Sequence, residues 1–243
     1  MLKTVQGASI KSVFEVLKDL LNDVNFVFDA SGVHISTLDT AHVTFVNLRL
    51  LAENFEQYNC QHKIVAGMNI SNTFKLLKII GNNDTLCMSS ENRDLLRIIV
   101  ENDQKKSKTV FDLKLLDINE ESFDMDDLKF DVQTVVPSVV LQRTIRDMCN
   151  FANSVEIERT GKTLKLSCKG DYVDQCTELE CTEEYPGRIC YVYSLKYINM
   201  FAKATSVCSN VTLHQNESGA IMFRYSIANL GEIDFYLAPN TDV

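Results

Sequence analysis

SNTFKLLKII, residues 71–80, decides how the chain is read. Phe74, Leu77 and Ile80 (or Ile79) recur at the three-and-four spacing that places apolar side chains on one stripe of a helix. Its only charges are Lys75 and Lys78, three apart and therefore neighbours on one helical face. Three other segments share this pattern. SIKSVFEVLKDLL (9–21) aligns Ile10, Val13, Phe14, Leu17, Leu20 and Leu21. VVLQRTIRDMCNF (139–151) aligns Leu141, Ile145 and Met148, and SLKYINMFAKA (194–204) aligns Leu195, Ile198, Phe201 and Ala202. Ser9, Ser71, Ser138 and Ser194 stand where the N-caps of these helices are expected.

Between the helices the chain alternates as strands do. VNFVFDASGVHISTLDTAHVTFVNLRLL (24–51) breaks at 30–32 and again near Asp39-Thr40, and 85–101 and 108–118 alternate in the same way. After residue 130 come DVQTVV, SVEIERTGKTLKLSCKG, RICYVYSL, NVTLHQNESGAIMFRYSI and GEIDFYLA. Pro137, Pro186 and Pro239 all fall between or at the edges of these runs. The order helix, long β region, helix, β region occurs twice. Lys18-Asp19-Leu20 superposes on Arg146-Asp147-Met148, and 78–88 on 203–213, both at close to half the chain length. The expectation is a tandem α+β duplication, with one domain over 1–116, a connecting segment over 117–131 and a second domain over 132–243.

A chain of 243 residues with 45% hydrophobic and 23% charged residues suits two such domains. No run of about 18 residues lacks charge, so no membrane span is expected. The N-terminus has no apolar signal core, and secretion is not expected either. The eight cysteines are scattered, and the nearest pair, Cys176 and Cys181, is spaced more widely than a zinc knuckle wants. Reduced thiols, no metal centre and no cofactor follow as expectations.

Charge is sorted by secondary structure. The four helices carry Lys11, Lys18, Lys75, Lys78, Arg143, Arg146, Lys196 and Lys203 against Glu15, Asp19 and Asp147, a net of 8 − 3 = +5. The rest of the chain carries 16 basic and 30 acidic residues, net −14, which recovers the overall −9. Such a segregated positive face fits a polyanion that must meet one surface and be repelled by the others. The cations lack the Asn/Gln company of a base-reading helix and the interleaved aromatics of a single-strand groove. Contact with duplex phosphates, independent of base sequence, is the expected mode. The segment 117–131, DINEESFDMDDLKFD, holds seven carboxylates against Lys129, yet exposes Phe123 and Met125, which an idle linker has no reason to do. Asp124, Asp126 and Asp127 have neither the base, the nucleophile nor the calcium-loop spacing of a hydrolase, so no catalytic residue is assigned.

VQGASIKSVFEVLKDL, SGVHISTLDTAHVTFVNLRL, FKLLKIIGNND, the RDM of the third helix, YINMFAKATSV and YSIANLG…FYLAP resemble, in order and over nearly the whole chain, the proliferating cell nuclear antigen (PCNA), the eukaryotic-type DNA sliding clamp. The resemblance implies a DNA-clamp fold: two similar domains, each with two helices packed on antiparallel sheets, assembling as a homotrimeric ring with the helices lining the hole. It implies a non-enzymatic processivity factor that encircles duplex DNA, acts in the nucleus or at a site of viral replication, and is opened by a clamp loader ATPase. The eight helix cations become residues facing DNA. The acidic segment becomes the interdomain connecting loop. Under it, polymerase and other proteins with PCNA-interacting peptide motifs would bind at Leu38, His42, Val43, Phe45, Phe123, Met125, Ile221, Tyr236, Ala238 and Pro239. The strand within 171–190 is implied to meet 108–116 of a neighbouring subunit. Phe123 and Met125 replace smaller aliphatics of the family, Asp126 and Ala220 replace common prolines, and Gly161, beside Lys162, stands where cellular clamps carry a regulatory lysine. A checkpoint-type clamp subunit working in a hetero-oligomer is the alternative of the same fold.

Overall fold

The computed structural model describes residues 1–92, 94–119 and 128–240. In the first half of the chain the elements are β1 (Leu2–Thr4), α1 (Gly7–Leu17), β2 (Asp23–Asp29), β3 (Gly32–Leu38), β4 (Thr44–Leu51), β5 (Gln57–Tyr58), β6 (Ile64–Asn69), α2 (Ile70–Leu77), β7 (Thr85–Asn92), β8 (Leu95–Asn102) and β9 (Ser107–Lys114). The second half repeats the plan with β10 (Val132–Pro137), α3 (Ser138–Met148), β11 (Ser154–Lys169), β12 (Asp174–Ser194), α4 (Leu195–Phe201), β13 (Asn210–Gln215), β14 (Ile221–Ile227) and β15 (Gly231–Leu237). The chain divides into two compact units. One comprises Met1–Thr40, Val46–Phe123 and Ser226–Ile233, the other Ala41–Phe45, Asp124–Tyr225 and Asp234–Val243.

In the first unit β1, β5, β7, β8 and β9 form one antiparallel sheet in the order β5-β1-β7-β8-β9, and β4, β3, β2 and β6 run side by side in another. Burial alternates strictly along β2 and β8, which is why their sequences alternate. α1 buries Ile10, Val13, Phe14 and Leu17, and Phe14 stacks on Phe26 of β2 with ring centroids 5.1 Å apart. The second unit uses the same device: Phe201 of α4 stacks on Phe235 of β15 at 4.8 Å. Truncating either ring to alanine costs ~3 kcal/mol or more, through lost burial and the cavity left behind. β10, β13, β14 and β15 adjoin in that order, and β11 pairs with β12.

The serine caps are corrected. α1 starts after Gln6, two residues before Ser9, and α2 is capped by Asn69, whose Oδ1 accepts from the Asn72 N–H at 2.9 Å, so Ser71 lies inside the helix. Ser138 is also inside α3, where its hydroxyl donates to the Cys208 carbonyl; Ser194 is at the N-cap position but makes no capping bond. The region 171–190 and RICYVYSL are not separate strands. They are one strand, β12, with register shifts at Gly161 on its partner β11. Gly161 (φ +50°) takes up the left-handed kink there with open space where a Cβ would point.

That kink is held from inside. Arg159 has no solvent exposure; its Nε donates to Thr134 Oγ1 at 3.1 Å, and its two terminal nitrogens donate to the carbonyls of Gly161, Thr163 and Glu183. A fully buried guanidinium with neutral acceptors on β10, β11 and β12 ties three strands at one point.

A smaller polar lock closes the turn after α2. Asp84 accepts from the Gly81 N–H at 2.8 Å and from the Asn102 amide. The Gly81 bond first, then Asn102, hold its carboxyl below the ordinary carboxylate range against the opposing effect of burial. A depressed folded-state pKa gives stability present above the unfolded value and lost as pH falls through the folded one. Asp84→Asn should therefore be less stable at neutral pH, with the difference shrinking below pH ~4, as read from urea midpoints across that range.

Candidate nucleic-acid interface and partner pocket

In the first unit α1 and α2 are joined by their own lysines. Lys11 Nζ donates to the Ile80 carbonyl at 2.6 Å, and Lys18 Nζ lies 4.6 Å from the centre of the Phe74 ring. Both side chains are half-buried along their stems, with charge still presented at the helix surface. Lys75 and Lys78 are exposed, and Lys75 Nζ touches Asn72 Oδ1 at 3.1 Å. The opening segment is thus a short amphipathic helix: Ile70, Thr73 and Leu77 face the core and its cations face out.

In the second unit Arg143 and Arg146 stand exposed on α3 opposite buried Leu141, Ile145 and Met148. Lys196 lies 5.5 Å from the Tyr197 ring. Lys196 and Lys203 are seven apart, but α4 ends at Phe201 and Ala202–Ser206 is a 3-10 turn, so two full α-helical turns do not separate them. Lys203 is nonetheless exposed, and Gln142 of α3 donates to the Ala202 carbonyl at 2.9 Å, which sets the turn beside α3. The eight cations therefore all lie on, or within one turn of, the four helices.

The expected partner pocket has an aromatic centre in the second unit. Phe45 is buried with its ring 5.5 Å from that of Tyr236, which is half-buried. Phe130 lies 6.2 Å from Tyr236 and 5.6 Å from the His214 ring. Phe130 and His214 were not among the sequence candidates. The only signal for Phe130 was its size at the end of the acidic segment, and a histidine in NVTLHQ reads as an outward strand position. His42, with φ +56°, Val43 and Ala238 are exposed, and Pro239 is half-buried. Ile221 is wholly buried, so it backs the wall and does not form the surface. Leu38 is half-buried on β3 of the first unit. Phe123, Met125 and the replaced proline at Asp126 lie outside the described residues.

Both described ends of the connecting segment are fastened. At its entry the Leu116 N–H donates to the Gly67 carbonyl at 2.8 Å and the Asn25 amide to the Ile118 carbonyl at 3.0 Å. Any side chain at Gly67 would meet the Leu116 carbonyl oxygen at 2.2 Å, so this approach requires glycine. At its exit Asp131 N–H donates to the Gln215 carbonyl, Asn216 Nδ2 to the Lys129 carbonyl, and Asp131 Oδ2 accepts from Glu217 N–H, all at 2.9 Å.

All eight cysteines are free. Among the described residues one group, Glu156, Glu158 and Cys190, brings ligand-type atoms within 4.8 Å. Arg188 Nε already pairs with Glu158 at 2.6 Å, and burial, then the two carboxylates, push the Cys190 thiol upward, away from the thiolate a metal needs.

Two family models match the chain: proliferating cell nuclear antigen, N-terminal domain, over residues 1–126, and proliferating cell nuclear antigen, C-terminal domain, over residues 124–240. The chain is also similar to the "Probable DNA polymerase sliding clamp 1" of Paramecium bursaria Chlorella virus 1. The two are 32% identical over 254 aligned residues, covering 98% of this chain and 95% of that protein.

Proposed function

The chain belongs to the proliferating cell nuclear antigen family of DNA sliding clamps, and from that premise we propose how this member works. It is a non-enzymatic processivity factor. Three copies close head to tail around duplex DNA, with Lys11, Lys18, Lys75, Lys78, Arg143, Arg146, Lys196 and Lys203 turned to the phosphates. The observation that carries this reading is the charge sorting, now seen on folded helices whose opposite faces are buried. Three copies would set 3 × 5 = +15 along the lining. Duplex as long as an 11-residue helix such as α1 or α3, ~16 Å, carries about 10 phosphates. The two charges are comparable, so attraction holds the ring on the duplex while no side chain is committed to a base. Water and mobile counterions then separate the lysines from any one phosphate, and translation along the duplex meets no large barrier.

The pocket around Phe45, Phe130, Tyr236, Val43 and Pro239 receives an aromatic anchor of a polymerase or another partner. The acidic connecting segment draws in basic flanks of the same peptide. Opening of the ring is the work of a separate loader ATPase, and the protein acts wherever the duplex is copied, in the nucleus or at a viral replication site. The hetero-oligomeric checkpoint role is not favoured by the relatives found.

Tyr236→Ala tests the pocket. It should weaken binding of a PCNA-interacting peptide about 30-fold, equivalent to ~2 kcal/mol, with the far-UV spectrum and the solution mass unchanged. Titration calorimetry reads the affinity. Undiminished affinity would move the peptide site elsewhere.

A further inference from the structure

Lys11 differs from the exposed lysines of α2. Its Nζ crosses from α1 to the turn that closes α2 and donates to the Ile80 carbonyl at 2.6 Å, and its side chain is half-buried. Ile80 is 1% exposed, and its carbonyl lies just beyond a helix end, where backbone acceptors lack intrahelical donors. A cation placed there is also favoured by the helix dipole.

A carboxylate stands in the same turn. Asp84, 8% exposed, accepts from the Gly81 N–H and the Asn102 amide. Those two bonds come first in holding its carboxyl low, and the charges of Lys105 and Lys11 add to them. The charge of Lys11 is thus answered within the protein.

The second unit repeats the tie without a charge. Gln142 of α3, the counterpart of α1, donates to the carbonyl of Ala202, the C-cap residue of α4, at 2.9 Å. Common to both units is a side-chain donor from the first helix to a closing carbonyl of the second. The positive charge belongs to one unit only.

What the tie holds is the base of the exposed lysines. Lys78 is the C-cap residue of α2, two before Ile80, and Lys75 lies in the last turn of the helix. Lys18 of α1 adds a second contact over Phe74, the residue before Lys75.

We propose, resting on the reading of these helices as a DNA-facing lining and narrowing it, that Lys11 is a positioning residue. Its ammonium holds the end of α2 and acts on duplex DNA through the placement of Lys75 and Lys78, without meeting a phosphate itself.

A double-mutant cycle on the full chain tests this, with affinity for a labelled duplex read by fluorescence anisotropy at low salt. Lys11→Met should weaken binding about fivefold in the otherwise unmodified chain. In a chain already carrying Lys75→Gln and Lys78→Gln it should weaken binding by less than about twofold, because α2 then has no cation left to place. In that background it should also leave the salt dependence unchanged, whereas losing a phosphate contact lowers the slope by about 0.9. Urea midpoints check that each chain is folded in the assay, and Lys11→Gln repeats the cycle if the methionine variant is not. Equal losses in both backgrounds would mean that Lys11 meets a phosphate of its own. No loss in the unmodified background would mean that the tie serves stability alone. Either result overturns the proposal. If Lys75→Gln with Lys78→Gln leaves duplex affinity unchanged, the DNA-facing reading of α2 fails and this proposal fails with it.

Discussion

Lys75→Glu together with Lys78→Glu should shorten the products of clamp-stimulated synthesis on long templates by about tenfold or more, with a loss that deepens as salt rises. Both side chains are exposed on α2, opposite the buried Ile70, Thr73 and Leu77, so the fold has no reason to respond. The electrostatics do. Two reversals change the helix net charge from +5 to 5 − 4 = +1, and a proposed three-membered lining from +15 to +3, against about 10 phosphates over the length of α1 or α3. Neither change touches a buried side chain, so sedimentation should show an unchanged mass. Product length per binding event is the readout. Unchanged length at raised salt would remove α2 from the DNA-facing surface. Arg143→Glu with Arg146→Glu on α3 should act alike, since the same number of charges is reversed on the equivalent helix of the second unit.

Arg159→Ala should cost ~3 kcal/mol of stability, among the largest single losses open to this chain. The change leaves the carbonyls of Gly161 and Glu183 and the buried Thr134 hydroxyl without their donor, and it empties the inside of the β11 kink. Arg159→Lys should not rescue it, because one ammonium cannot reach acceptors on three strands that a planar guanidinium spans. Urea unfolding followed by circular dichroism gives the number. A loss below ~1 kcal/mol would mean that the strands hold the kink without the arginine.

The helices were legible because their apolar residues recur at helical spacing and their burial follows it: Ile10, Val13, Phe14 and Leu17 are all inside. Their starting points were not, since serine is a common cap but Asn69, whose amide oxygen accepts from the Asn72 N–H, took that role in α2. The length of β12 was hidden by Pro186-Gly187 and by its acids, which read as breaks in a strand; a register shift on the partner strand absorbs what looked like an end. Arg159 left a faint trace. It shares parity with Val155 and Ile157, so the alternation of SVEIERT already placed it inward, against the usual expectation that an arginine lies outside. On the site, the cations were legible as charge sorting, a property of the whole chain. Phe130 and His214 were not, because Phe130 stands more than eighty residues before both His214 and Tyr236, and nothing local announces the ring cluster.

Encirclement is tested most directly by topology. The chain is threaded onto linear duplex at high protein concentration, both ends are then closed with bulky blocks, and the DNA is washed at high salt. A sliding ring should remain on the blocked duplex, be lost from open-ended duplex, and leave the blocked one after a single double-strand cut between the blocks. Equal retention on open and blocked duplex, or retention after the cut, would mean that the protein grips DNA without surrounding it.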